Sequence, residues 1–373
     1  RGSMAEGMRL ARLLALLLLS GPQLAGAKDK AKAVIVGEQA KLDSEVADMV
    51  WMGQTKDVIL LQTAQGRLHR SANYGGTWVD ITGNLTQLMP PSLSSVLAKA
   101  GLGRAVARIH QSPSNPDVVV VQGAFAIHFI SSDAGANWEL MRHTGSVQSF
   151  LWHRTRPDWA LLSRWTDLGK GPRSHDLFQT TDRGKTFRRI SANIVQFSWG
   201  DPINGHDDRV YYTRWRPEKV KAMKGGEQTR LSKWRKGIDL VYEDSKGSKR
   251  RTVTCVEDGN KFQVSHGYIL VVRIRNEATQ DVELQVSADG GDTFNAARLP
   301  SQLKLFAFTL LDASEKALIL HINRNAKLGD VYVSDRQGLN FSLALTGNIR
   351  SMGICGFEKV KNLRGIYIAN VAV

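Results

Sequence analysis

Eight residues, Ser287-Ala-Asp289-Gly-Gly291-Asp-Thr293-Phe294, set a hydroxyl, a carboxylate, a glycine and an aromatic ring at fixed intervals. The chemistry this spacing supports is that of a tight turn. Short Ser and Asp side chains reach nearby backbone N–H groups and replace the ladder partners that a chain gives up at a bend. Gly291 supplies a backbone angle that a Cβ would penalise, and Phe294 packs on the strands just joined. Because turn hydrogen bonds occupy these aspartates, they are not nominated as catalysts.

The spacing recurs. Ser131, Asp133, Gly135 and Trp138 repeat it, as do Thr180, Asp182, Gly184 and Phe187. Ser71, Asn73, Gly75 and Trp78 substitute Asn for Asp and keep the acceptor oxygen. In Ser334, Gly338 and Phe341 the carboxylate position has gone to Arg336, and Tyr242-Glu-Asp244-Ser-Lys246 is a degenerate sixth copy. Successive first positions lie 60, 49, 62, 45 and 47 residues apart. One turn signature in every stretch of roughly 40–60 residues marks a propeller or a similar repeat array.

The elements needed to hold these turns are strands. From Val46 each unit reads as four short strands, the turn joining the third to the fourth: Met49–Met52, Val58–Gln62, Gly66–Ser71 and Trp78–Ile81 in the first. A short helix is expected at Ser94–Ala100 between the first two units. The expected fold is all-β, a propeller of four-stranded antiparallel blades, with six units across residues 46–373 and a seventh opening at Leu363–Val371. Ending inside fresh strand pattern, the sequence is expected to be truncated at its C-terminus.

Composition narrows the setting. The formal charge is +15, which suits nucleic acid, a membrane surface or acidic proteins. Residues 1–27, with Arg9 and Arg12, an apolar run at Leu13–Leu19 and Ala25-Gly-Ala27, read as a signal peptide. Residues 28–45 read as a mobile lead-in. A secretory route argues against a nucleic-acid partner. Cys255 and Cys355 are then candidates for a disulfide, or each stays free or pairs elsewhere. Asn84 and Asn340 begin glycosylation sequons, the first in an expected loop and the second inside a turn. Arg214 to Lys236 interrupts the fourth unit with nine Lys and Arg against two Glu; it reads as a solvated loop or a basic surface. No phosphate loop, zinc spacing or nucleophile elbow is present, so no cofactor or metal is expected.

With its repeated turns, Val286–Phe294 followed by Leu299-Pro300, Asp330–Asp335 and Leu363–Ile368, the chain resembles the sortilin family from about Asp48 to Val373. The resemblance implies the first six or so blades of a ten-bladed luminal propeller. It implies a sorting receptor whose partners are protein or peptide cargo, carried between Golgi and endosomes. Membrane attachment would come only through a transmembrane helix beyond this sequence. The rival is a glycoside hydrolase with aspartate turns, such as a sialidase or endoglucanase. That chemistry needs two carboxylates at a set separation, and no pair stands out.

The resemblance also implies a place for ligand. In the family an Arg five residues before the box Ser of this region binds a peptide's terminal carboxylate, and gapless placement puts Val282 there. On the adjacent strand Val271, Arg273 and Arg275 share one face by alternation. Arg273 is the expected replacement cation, since a guanidinium grips a carboxylate bidentately. The alternative is that Arg273 only pairs with Asp281 or Glu283 across its hairpin.

Overall fold

A computed structural model describes residues 41–99, 105–123, 126–141, 145–166, 174–223, 235–244, 250–299 and 308–372. The signal peptide, most of the lead-in, residues 224–234 of the basic insertion, Lys246 and Pro300 lie outside these. Contacts group the chain into two compact units, Arg1–Leu162 with Gln179–Arg188, and Ser163–Phe178 with Arg189–Val373.

The described chain is built from four-stranded antiparallel meanders, the blades of a propeller fold. The first holds β1 (Val46–Met52), β2 (Val58–Thr63), β3 (Leu68–Ser71) and β4 (Val79–Asp80), and is followed by helices α1 (Thr82–Gln87) and α2 (Pro91–Lys99). The second holds β5 (Val106–Gln111), β6 (Val119–Gly123), β7 (His128–Ser131) and β8 (Glu139–Leu140). The third holds β9 (Val147–Trp152), β10 (Ala160–Thr166), β11 (Ser174–Thr180) and β12 (Arg188–Ser191).

In the fourth are β13 (Ile194–Trp199), β14 (Val210–Trp215), β15 (Ile238–Asp244) and β16 (Arg251–Val256), with helix α3 (Pro217–Ala222) after β14. The fifth holds β17 (Gly259–Ser265), β18 (Tyr268–Asn276), β19 (Asp281–Ser287) and β20 (Asn295–Ala296). The sixth holds β21 (Phe308–Asp312), β22 (Ile319–Asn323), β23 (Leu328–Ser334) and β24 (Phe341–Ser351), and carries β25 (Ile354–Cys355) on its edge. A two-stranded piece, β26 (Phe357–Lys359) and β27 (Tyr367–Ala369), follows.

Burial explains the strand sequences. The second strand of a blade has both faces covered, so it reads as a continuous apolar run rather than an alternation. Val58–Thr63 and Val119–Gly123 are buried at every position. The two-residue fourth strands β4, β8 and β20 are exposed instead. Within the first unit, Met52, Leu60 and Leu68 pack with Val121 and Phe129 of the next sheet. Within the second unit, Tyr211, Leu240 and Tyr242 meet Ile269 and Val271, while Leu270, Leu284 and Val286 meet Leu320 and Tyr332.

The turn glycines do more than permit a bend. Gly135 has φ 76°, and a Cβ there would lie 2.9 Å from Leu60 in the preceding blade. Gly338, at φ 75°, would bring a Cβ to 2.9 Å from Val286 of the blade before it. Gly184 and Gly291 meet Met141 and Tyr211 in the same way, whereas Gly75 in the first blade has only ordinary contacts with its own residues. These four boxes are thus keys seated on the blade before them.

Several sequence expectations are corrected. Cys255 and Cys355 are both free. Cys255 lies on β16 and Cys355 on β25, and the fifth sheet packs against both of their sheets. Sheets packed face to face lie about 10 Å apart, beyond the span of about 7 Å that a disulfide bridges between Cα atoms. Asn84 falls within α1 rather than in a loop, and is exposed there. The helix expected at 94–100 begins earlier, at Pro91, where a missing N–H costs nothing. Strand structure in the seventh unit begins at Phe357, before the expected Leu363.

Candidate ligand-binding cleft

The boxes share one hydrogen-bond scheme. The first hydroxyl accepts the glycine N–H four residues on: Ser71 from Gly75 at 2.9 Å, Ser131 from Gly135 at 2.9 Å, Thr180 from Gly184 at 2.8 Å, and Ser287 from Gly291 at 2.8 Å. It donates to Asn73, Asp133, Asp182 or Asp289 two residues on. The same oxygen takes a backbone N–H, from Thr293 at 3.0 Å in the case of Asp289. Burial pushes the Asp289 carboxyl up, but Thr293, Ser287 and the N–H groups of Thr293 and Asp292 outweigh it and hold it below the usual range. The closing aromatics Trp78, Trp138, Phe187, Phe294 and Phe341 end the boxes, and Trp138 Nε1 donates back to Gly135 at 3.1 Å.

The Ser334 box corrects the sequence reading. Its carboxylate is not lost: Asp335, one residue early, takes the N–H groups of Gln337 and Leu339 at 3.1 and 2.9 Å. Asp335 also accepts the Asn340 side-chain amide at 2.5 Å, so the nitrogen that would carry a glycan is engaged in the turn.

The four strand residues singled out for ligand fall in different settings. Val271 is fully buried between the fourth and fifth sheets, and Val282 is buried between the fifth and sixth. Arg273 and Arg275 are exposed toward the end of β18. Arg273 lies 3.8 Å from Glu283, its cross-strand partner, and its side chain keeps 45% of its exposure. Gln285 donates to the same Glu283 carboxylate at 3.2 Å.

Arg273 borders a cleft of about 390 Å³ that runs between β16 and the fifth sheet. Tyr242, Val253, Cys255 and Phe294 form its apolar floor. Burial pushes the Cys255 thiol up to about 12, so at neutral pH it is a protonated, apolar wall. At the end away from Arg273 stands Asp292, 51% exposed, bonded at 2.7 Å to the buried Arg209. Arg209 also donates to Gly290 O at 2.7 Å and lies over the Tyr242 ring at 4.4 Å, which fixes the box that forms this wall. The cleft carries a cation at one end, a carboxylate at the other and apolar surface between. The sequence reading found Arg273 but passed over β16; the one signal was the stretch Arg251–Val256, with four β-branched residues in six and no clear box.

A second cleft, of about 590 Å³, lies in the first unit between β8 and the Thr180 box, where Arg183 pairs with Asp158. Among the described residues no group of three or more His, Cys, Asp or Glu is arranged to hold a metal ion. No described helix is long and apolar enough to cross a membrane.

The family model described as Sortilin, neurotensin receptor 3 (Sortilin-Vps10) matches residues 66–373. The chain belongs to the sortilin–Vps10 family. Among its relatives, the vacuolar protein sorting/targeting protein 10 of Blastomyces gilchristii is 27% identical over 294 residues, 65% of this chain and 19% of the relative. That of Candida dubliniensis is 25% identical over 280 residues, 69% of this chain and 16% of the relative. Danio rerio sortilin is 22% identical over 347 residues, 87% of this chain and 37% of the relative. The chain therefore spans well under half the length of these relatives. Among solved structures, YCF48 bound to D1 peptide is similar at 12% identity and a TM-score of 0.39, covering 80% of both chains. An ancestral GH74 enzyme is similar at 10% identity and a TM-score of 0.40, covering 83% of this chain and 42% of its own.

Proposed function

We propose that this sortilin–Vps10 chain is the luminal ligand-binding part of a sorting receptor that takes protein or peptide cargo for transport between Golgi and endosomes. The family match over residues 66–373 carries the reading. It supports a receptor over a glycoside hydrolase.

Within that reading Arg273 receives the terminal carboxylate of a peptide. Its ion pair with Glu283 is long and half open to water, and such pairs contribute at most about 1 kcal/mol. An incoming carboxylate displaces it at little cost. Arg273→Ala should weaken binding of a free-acid peptide tenfold or more, about 1.4 kcal/mol or above. Glu283→Gln, which removes the competitor, should strengthen it. Equal affinity of free-acid and C-terminally amidated peptides for the parent chain would refute carboxylate capture.

A further inference from the structure

The outermost strand of a sheet offers an unpaired row of N–H and C=O groups, and proteins keep such edges short for that reason. Here β4, β8 and β20 have two residues each and β12 has four. Strand β16 has six, and among the described strands it pairs only with β15. None of the backbone hydrogen bonds formed outside the sheets among the described residues involves positions 251–256. Thr252 and Thr254 are exposed on it, while Val253 and Cys255 turn toward the apolar floor of the cleft. The longest open outer edge among these five blades therefore runs beside a cleft with charged ends.

We propose that β16 is a strand-addition site: an extended peptide pairs with its free edge and sets alternate side chains into the cleft between β16 and the fifth sheet. The proposal rests on the peptide-binding reading above and adds where and how the backbone is held. Strand pairing supplies affinity through main-chain hydrogen bonds, and pockets for alternate side chains supply selectivity.

The ends of the cleft set the direction. Asp292 bonds Arg209, which lies next to Val210, and Val210 faces Glu243 two strands from Thr252, so Asp292 is level with the start of β16. Arg273 faces Gly259, beyond the end of β16. A peptide running parallel to β16 thus brings a basic N-terminal residue to Asp292 and its C-terminal carboxylate to Arg273. Glu257 stands near the Arg273 end, but it pairs with Arg216 at 3.5 Å. At about 3.3 Å per residue, five or six peptide residues span the strand.

The test uses the synthetic peptide Lys-Thr-Val-Thr-Ile-Leu with a free carboxylate, and two derivatives N-methylated at its second and fourth or its third and fifth residues. N-methylation removes backbone donors and leaves side chains and charges in place. Only one of the two alternating sets should weaken binding, by tenfold or more, and amide exchange across residues 251–256 should slow when the unmodified peptide is added. If both derivatives bind like the parent peptide while Arg273→Ala still weakens binding, strand addition is overturned and carboxylate capture stands. No binding of the unmodified peptide overturns both. Equal loss from both derivatives, or unchanged exchange in 251–256, also overturns the edge site.

Discussion

Asp289 shows what one side chain contributes to a box. It accepts from the Ser287 hydroxyl, from the N–H groups of Asp292 and Thr293, and from the Thr293 hydroxyl. Asp289→Ala leaves those donors unpaired at a bend, a loss of about 1–3 kcal/mol. Asp289→Asn should cost less than about 1 kcal/mol, because the first box already works with an amide: Asn73 Oδ1 takes the Thr77 N–H at 2.8 Å and its Nδ2 donates to the Thr77 hydroxyl at 3.1 Å. The two variants also differ in acid. A carboxyl held below its ordinary value stabilises the fold above the unfolded value of about 3.9 and loses that contribution as pH falls through the folded value. Asp289 is held down in this way. Thermal melts from pH 7 to pH 3 should show the advantage of the parent over Asp289→Ala shrinking below about pH 4. A gap constant across that range would refute this account of the turn.

At the scale of elements, much of the structure was legible and the rest was hidden for identifiable reasons. Strands and turns were readable because short apolar, β-branched runs and box spacing are local signals. The pairing of Asp335 was not, because a carboxylate one residue early looks like a missing one until the backbone is traced. The free state of the cysteines and the course of β16 beside the cleft depend on which sheets are neighbours, which no local pattern records. The box glycines are a mixed case. Their positive φ was legible, but their seating on the preceding blade was not. A comparison separates the two roles. Gly75→Ala should carry mainly the backbone cost of about 1–2 kcal/mol, since a Cβ there meets only atoms 3.6 Å away or more. Gly338→Ala adds crowding against Leu318 and Val286 at 2.9 Å, a further loss of about 1–3 kcal/mol. Equal denaturation midpoints for the two variants would show that the boxes are turns only.

Across the whole molecule, the rule that each blade covers its neighbour's apolar side accounts for the core, and it also identifies where cover is lacking. Leu320 of the sixth sheet is fully buried and Leu284 of the fifth nearly so, yet Met352 is 94% exposed, Ile368 65% and Ile354 56%. Ile366 and Leu363 are exposed with them, around the short strands β25 and β27. Scattered apolar residues on a surface need no explanation, but five large exposed ones within residues 352–368, beside short strands, favour association. Charge opposes this: at +15, copies of the chain repel one another at low salt and less so once the Debye length falls to about 8 Å at physiological ionic strength. Self-association should therefore strengthen as salt is raised, unlike association driven by ion pairs. Replacing Ile354 and Ile368 together by Lys should return the sedimenting species toward a single copy at 0.15 M salt, with little change in melting temperature because neither side chain is packed. A parent chain that sediments as one copy at every salt concentration would show that these residues do not act as a common surface.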